Sequence, residues 1–240
     1  MIESHAFQGG IALEGVSFAY EKEEPVLHDL SLRIPEGRVT AIVGPSGVGK
    51  TTICHLIMRL FDPETGRVVI DGKDLKELKM EWWRNQVALV SQDTFLFHST
   101  IAENIRFSKP EATEGQIIEA ALAACIHEFI ASLPEGYQTV VGDRGVRLSG
   151  GQKQRLSIAR AILIEPKILI LDEAMAFLDT SAETRLKETI RSLMERRTTL
   201  VVSHRPSTIE GADRIIALGT EGLLYEGDPS GYPIQVSAEP

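Results

Sequence analysis

The stretch Val39-Thr40-Ala41-Ile42-Val43-Gly44-Pro45-Ser46-Gly47-Val48-Gly49-Lys50-Thr51-Thr52 decides how this chain folds. Its first residues form a short apolar run, the pattern of a buried strand, which passes directly into a glycine-rich turn. From Gly44 to Thr51 the turn fits G-x-x-x-x-G-K-[ST], and Thr51 to Leu60 reads as a helix. Glycines at these places let backbone N–H groups close around anionic oxygens with no side chain in the way. The helix that begins near Lys50 adds the positive end of its dipole. Lys50 offers a mobile cation to the outer phosphates of a nucleotide, and the Thr51 hydroxyl offers a ligand to Mg²⁺. A glycine-rich turn can also be a plain link between strand and helix. The Lys50-Thr51 pair at the correct offset is what favours a phosphate cradle.

Upstream, Ile11, Leu13, Val16 and Phe18 give a half-buried strand over Ile11–Tyr20, and Leu30–Ile34 reads likewise before the turn Pro35-Glu36-Gly37. Gly66–Asp71 is a further strand, closed at Asp71-Gly72. From about Ser99 to Glu165 the pattern becomes helical, most clearly at Ala120–Cys125 and Gln152–Leu163. Strands resume at Ile168–Leu171 and Leu200–Val202, with the amphipathic run Ala182–Arg196 between them. Strands alternating with helices imply an α/β fold with a mostly parallel sheet covered on both faces. The helices between its strands imply a projecting helical subdomain. The tail from Asp228, with Pro229, Gly231 and Pro233, is expected to be loosely held.

A pair of acids ends the strand Ile168-Leu169-Ile170-Leu171: Asp172 and Glu173. Asp172 is placed to hold Mg²⁺ through water. Glu173, expected on the other side of an extended chain, could polarise an attacking water. Two acids at a solvated strand end would be unremarked on their own; beside Lys50 they suggest hydrolysis.

Composition narrows the field. The 240 residues are 43% hydrophobic and 25% charged, enough for one large domain or two small ones. The net charge of -9 argues against a nucleic-acid surface, which needs clustered cations. Two distant cysteines, Cys54 and Cys125, suggest neither a disulfide framework nor a metal cluster, and fit a reduced compartment. Met1 to Gly10 lacks the basic start and apolar run of a signal peptide, and no apolar stretch is long enough for a membrane span. At a membrane, another chain or segment would have to do the spanning.

The run Leu148-Ser149-Gly150-Gly151-Gln152, followed by Lys153-Gln154-Arg155 and a helix, makes the chain resemble the ABC ATPase family over nearly its whole length. The resemblance implies a single domain with a P-loop NTPase (RecA-like) core sheet over about 11–92 and 166–227. An antiparallel β subdomain is expected near the N-terminus, a helical subdomain over about 93–165, and a tail over 228–240. It implies ATP held by Gly44, Ser46, Gly47, Val48, Gly49, Lys50, Thr51 and Thr52. The adenine would stack on Tyr20 and touch Val26. Ser149, Gly150, Gly151 and Gln152 would face the ATP of a partner domain, in a head-to-tail homo- or heterodimer. Thr51, Gln92 and Asp172 would serve Mg²⁺, while Glu173, His204, Gln92 and Lys50 would serve catalysis.

Two further stretches are similar to the exporter branch of that family. One runs from Asp93 to Ile105, and the other is Gly142-Asp143-Arg144-Gly145. They imply transmembrane domains docked on Asp93–Asn104 and Gly142–Gly145, at the cytoplasmic face of a membrane. Exporters usually read Leu-Asp-Glu-Ala-Thr-Ser-Ala-Leu-Asp around the two acids; here Met175 and Ala176 replace the hydroxyl residues. Asp143 stands where exporters more often carry Glu. Two rival readings remain at this level. A soluble ABC ATPase of DNA repair or chromosome organisation would usually carry long coiled-coil inserts, which the sequence lacks. A regulatory nucleotide-binding module without turnover would have little use for Glu173.

Overall fold

In the computed structural model, which describes residues 7–21, 24–91, 94–142, 146–173, 182–195, 197–203 and 211–232, the elements alternate as the apolar patterning requires. The N-terminal half contains β1 (Ile11–Ala19), β2 (Pro25–Ile34), β3 (Val39–Val43), α1 (Lys50–Ile57), β4 (Thr65–Ile70), β5 (Lys73–Asp74), α2 (Met80–Arg84) and β6 (Val87–Val90). Then come β7 (Ser99–Thr100), α3 (Ile101–Arg106), α4 (Glu114–Ala123), α5 (His127–Ser132), β8 (Val140–Val141) and α6 (Gly150–Ile164). The chain closes with β9 (Ile168–Asp172), α7 (Ala182–Met194), β10 (Thr198–Val202), β11 (Arg214–Gly219) and β12 (Gly222–Gly227). The described residues fall into two compact units. One is drawn from Met1–Val87, Lys167–Asp172 and Arg196–Pro240, the other from Ala88–Pro166 and Glu173–Glu195.

The first unit carries two sheets. In one, the order β2-β1-β4-β5 is antiparallel, with Leu13 opposite Leu32 and Val68. Burial along β1 alternates because one face meets the core and the other meets solvent. In the second, β11, β3, β10 and β9 run parallel, and β12 returns antiparallel on β11. Ile168 to Leu171 and Leu200 to Val202 are buried without alternation, as strands covered on both faces must be. The α/β architecture, with its parallel core and antiparallel N-terminal sheet, is borne out.

Several boundaries move. β2 begins at Pro25, well before Leu30, because Leu27 and Leu30 are both buried three residues apart across an irregularity at Asp29 (φ 43°), which breaks the alternation. α1 stops at Ile57 rather than Leu60, since Arg59 adopts a left-handed φ of 53°. The sequence reading missed β6, β11 and β12, although Ile215-Ile216-Ala217-Leu218 is an apolar run of strand length. Asp228–Tyr232 forms a turn: the Asp228 carboxylate accepts the Ser230 N–H, and the rings of Tyr225 and Tyr232 lie 5.5 Å apart.

The second unit is mainly helical, with Ile101, Ile105, Ile117, Ile130, Leu156 and Ile158 in its core. Its polar centre is Asn104, fully buried on α3. The Asn104 amide donates to the carbonyls of Phe97 and Thr100, and its Oδ1 accepts the Phe97 N–H. Arg160 of α6 donates to Asn104 O at 2.7 Å, Asn104 Oδ1 at 2.7 Å and Phe95 O at 2.8 Å. Burial pulls the guanidinium down to about 10, which leaves it charged at neutral pH. Arg160→Met keeps the apolar stem but strands two carbonyl acceptors, so we expect a loss of about 2–4 kcal/mol of stability. The urea midpoint measures it, and Arg160→Lys should recover only part because an ammonium lacks the planar fork.

Candidate functional site

The loop between β3 and α1 is shaped by what its glycines exclude. Gly44 has φ 149°, and a Cβ there would sit 2.4 Å from Leu218 O. Gly49 caps α1 with φ 100°, and a Cβ there would meet Leu27 Cδ2 at 2.5 Å. No side chain caps the start of α1, so the loop presents that helix end to a ligand without a competing side-chain oxygen. Lys50 Nζ donates to Gly44 O at 2.8 Å and Pro45 O at 2.7 Å, which draws the cation over the mouth of the loop. Ser46 and Gly47 are exposed and Val48 half-buried along the same turn.

The parallel sheet brings the downstream acid to this loop. Thr51 Oγ1 donates to Asp172 Oδ2 at 3.0 Å, joining the start of α1 to the end of β9. A hydroxyl and a carboxylate are hard oxygen donors suited to Mg²⁺. Among the described residues no group of three His, Cys, Asp or Glu could hold a metal by itself, and phosphate oxygens and water are the ordinary further ligands of Mg²⁺ at such a pair. The pair therefore fits Mg²⁺ carried in with a nucleotide. Cys54 lies buried on α1, where burial and then the Asp172 carboxylate push its thiol well up, so it is no nucleophile.

Tyr20 follows β1 and leaves 49% of its surface exposed. With Val26, Pro45, Ser46, Gly47 and Val48 it lines a cleft of about 520 Å³. The ring meets Phe18 edge-on at 5.0 Å and Phe61 at 5.3 Å. Its hydroxyl lies 3.2 Å from Thr52 Oγ1 and 3.0 Å from His55 Nδ1. Thr52 is buried, so its side chain faces the tyrosine rather than the loop mouth. Sequence reasoning gave no role to His55 or Phe61. The signal available was the i, i+3 spacing of Thr52 and His55, which puts both on one face of α1.

Glu173 departs from the expected alternation. β9 ends at Asp172, and Glu173 has a left-handed φ of 49°. A kink in the backbone, and not the pleat of a strand, separates the two acids, because the extended conformation stops before Glu173. Gln92 and His204 lie outside the described residues, as do Asp93, Asp143, Arg144, Gly145, Met175 and Ala176.

In the second unit, Ser149 caps α6. Its Oγ accepts the Gln152 N–H at 3.3 Å, while Gln152 Oε1 accepts the Ser149 N–H at 2.8 Å. A Cβ at Gly150 or Gly151 would meet nothing within 4 Å, so this helix end is open to a large partner. Elsewhere in that unit Phe95, 69% exposed, meets Phe97 edge-to-face at 5.1 Å, and Phe97 lies tilted against the exposed Phe107 at 4.3 Å. The three rings form a cluster of exposed aromatic side chains on this unit. The resemblance pointed to Phe95 and Phe97 through the 93–104 segment, but not to Phe107.

The chain matches the family model described as ABC transporter over residues 27–176. It is 52% identical over 227 residues to YgaD of Bacillus subtilis (strain 168), provisionally named a multidrug export ATP-binding/permease protein; the match covers 94% of this chain and 39% of YgaD. It is 48% identical to the ATP-dependent lipid A-core flippase of Syntrophus aciditrophicus (strain SB), over 90% of this chain and 36% of that protein. Among solved structures, that of a bacterial Atm1-family ABC exporter with ATP bound superposes with a TM-score of 0.87 at 41% identity. That match covers 93% of this chain and 39% of the exporter chain. The chain thus spans less than half the length of each of these proteins.

Proposed function

The chain belongs to the ABC transporter family, and from that membership we propose that it binds ATP and Mg²⁺, hydrolyses the ATP, and so drives export through an associated or fused transmembrane domain. The observation that carries the reading is the Thr51–Asp172 contact beside a glycine-lined turn closed by Lys50. In that turn the backbone amides and Lys50 Nζ take the phosphate oxygens, with Lys50 leaving the carbonyls of Gly44 and Pro45 to do so. Ser46, Gly47, Val48 and Gly49 contribute main chain, while Tyr20 stacks on the base and Val26 flanks it. Thr51, Asp172 and Gln92 would hold Mg²⁺, which when bound neutralises charge on the terminal phosphates. Glu173 orients the attacking water and takes its proton as the bond from the γ-phosphorus to the ADP oxygen breaks. His204 contacts the γ-phosphate.

Ser149, Gly150, Gly151 and Gln152 would close over the ATP of a second such domain in a head-to-tail dimer. A two-fold axis makes both contacts at once, and ATP favours closure because only the closed pair grips it from both sides. Transmembrane domains would dock on the segments 93–104 and 142–145, with the exposed rings of Phe95, Phe97 and Phe107 contributing, at the cytoplasmic face. No helix among the described residues is long and apolar enough to cross a membrane. Phosphate release by the chain with ATP is the test. Turnover should require Mg²⁺, and its specific rate should rise with protein concentration as the dimer forms. Tight ATP binding with no phosphate released under any condition would replace the enzyme by a nucleotide-sensing module.

A further inference from the structure

We propose that His55 is a positioning residue for nucleotide recognition, which it governs through Tyr20 without contact with the nucleotide itself. The inference rests on the ATP-binding reading above. Tyr20 stands at the mouth of the cleft with half its surface in solvent, beyond the end of β1. An exposed ring on an irregular segment must surrender rotamer freedom when a base stacks on it, which weakens binding unless the ring is already held. The hold here is specific. His55 Nδ1 lies 3.0 Å from the Tyr20 hydroxyl, and Phe61 lies 5.3 Å from the Tyr20 ring and 6.0 Å from His55. The hydroxyl both donates and accepts, so one imidazole nitrogen and Thr52 Oγ1 can share it.

The position of His55 matters as much as its chemistry. It lies on α1, the helix whose first residues, Lys50 and Thr51, supply the cation and hydroxyl of the cradle. Tying the ring to that helix fixes the spacing between the stacking plane and the phosphate site by one rigid element. His55 therefore sets how well a triphosphate with a base is preferred over a bare one, while leaving the phosphate grip alone.

The experiment compares the ATPase KM and kcat of the chain with its affinity for inorganic tripolyphosphate. His55→Leu should raise the KM for ATP about two- to tenfold, the worth of one positioning hydrogen bond, with kcat much less affected. The Kd for tripolyphosphate should not move. His55→Asn should restore the KM, because the Asn amide puts a hydrogen-bonding atom at the place of Nδ1. Tyr20→Phe combined with His55→Leu should be no worse than the larger single effect, since both remove the same bond. An unchanged KM in His55→Leu, an equal loss of tripolyphosphate affinity, or a failed rescue by Asn would each overturn the proposal. Tyr20→Ala separates this from the reading beneath it. If that variant binds ATP normally while Lys50→Ala does not, base stacking on Tyr20 is wrong as well. If Tyr20→Ala weakens ATP and His55→Leu does not, only the role of His55 falls.

Discussion

Glu173→Gln is expected to bind ATP at near wild-type affinity and to hydrolyse it about 10²- to 10⁴-fold more slowly, the usual contribution of a positioned acid–base group. The amide keeps the shape and one acceptor oxygen of the carboxylate but cannot take a proton at neutral pH. Gln tolerates the left-handed φ of 49° no worse than Glu does, so the backbone should be undisturbed and the loss chemical. Phosphate release in excess ATP gives the rate, and equilibrium binding of a fluorescent ATP analogue gives the affinity. With hydrolysis blocked, ATP should hold two domains together as a dimer in gel filtration. Wild-type turnover in the variant would remove Glu173 from the mechanism. Absence of the dimer alone would weigh less, because linked membrane segments would raise the effective concentration of the two halves.

Lys50→Ala should have the next largest effect, on binding rather than on the chemical step. The ammonium is the charge that the loop draws over its mouth, 2.7–2.8 Å from the Gly44 and Pro45 carbonyls. A charged hydrogen bond to phosphate is worth about 1.5–3 kcal/mol, so the Kd for ATP should rise about 10- to 100-fold, and turnover should fall with it. Loss of the carbonyl contacts could also loosen the loop, and melting separates the two effects. The nucleotide-free Tm should shift little, while the rise in Tm on adding Mg²⁺ and ATP should vanish. An ATP affinity unchanged in Lys50→Ala would show that the loop is no phosphate site.

The parts of the fold legible in the sequence were those with strong local signals. The strand–glycine–helix run around Gly44 is continuous in sequence, and the apolar runs of β9 and β10 have no alternation to confuse them. β11 pairs with β3, which is distant in the chain, and β12 is placed only by returning on β11, so neither was read from the sequence. The start of β2 escaped because the backbone irregularity at Asp29 puts Leu27 and Leu30 on one face three residues apart and breaks the period. At the site, the Thr51–Asp172 contact spans 121 residues and follows from parallel strand order, which a motif search supplies only through family resemblance. The Arg160–Asn104 lock and the His55–Tyr20 hold carry no motif; each pairs side chains from separate segments. The bend at Glu173 contradicts a local rule, strand alternation, at the residue assigned the chemistry. Backbone conformations that cost energy gather at such places.

The reciprocal cap on α6 bears on tempo. Ser149 Oγ serves the helix as an acceptor, so the hydrogen of the same hydroxyl is not consumed by the cap. That hydrogen can meet a phosphate oxygen while the helix end stays closed on its own atoms. On the proposed reading, no turn of α6 has to unwind and re-form in each cycle. Local refolding would add a step of its own, insensitive to how many domains are present. With a helix end already finished, the pace of engagement is set by encounter and orientation, and the two partners meet as preformed surfaces.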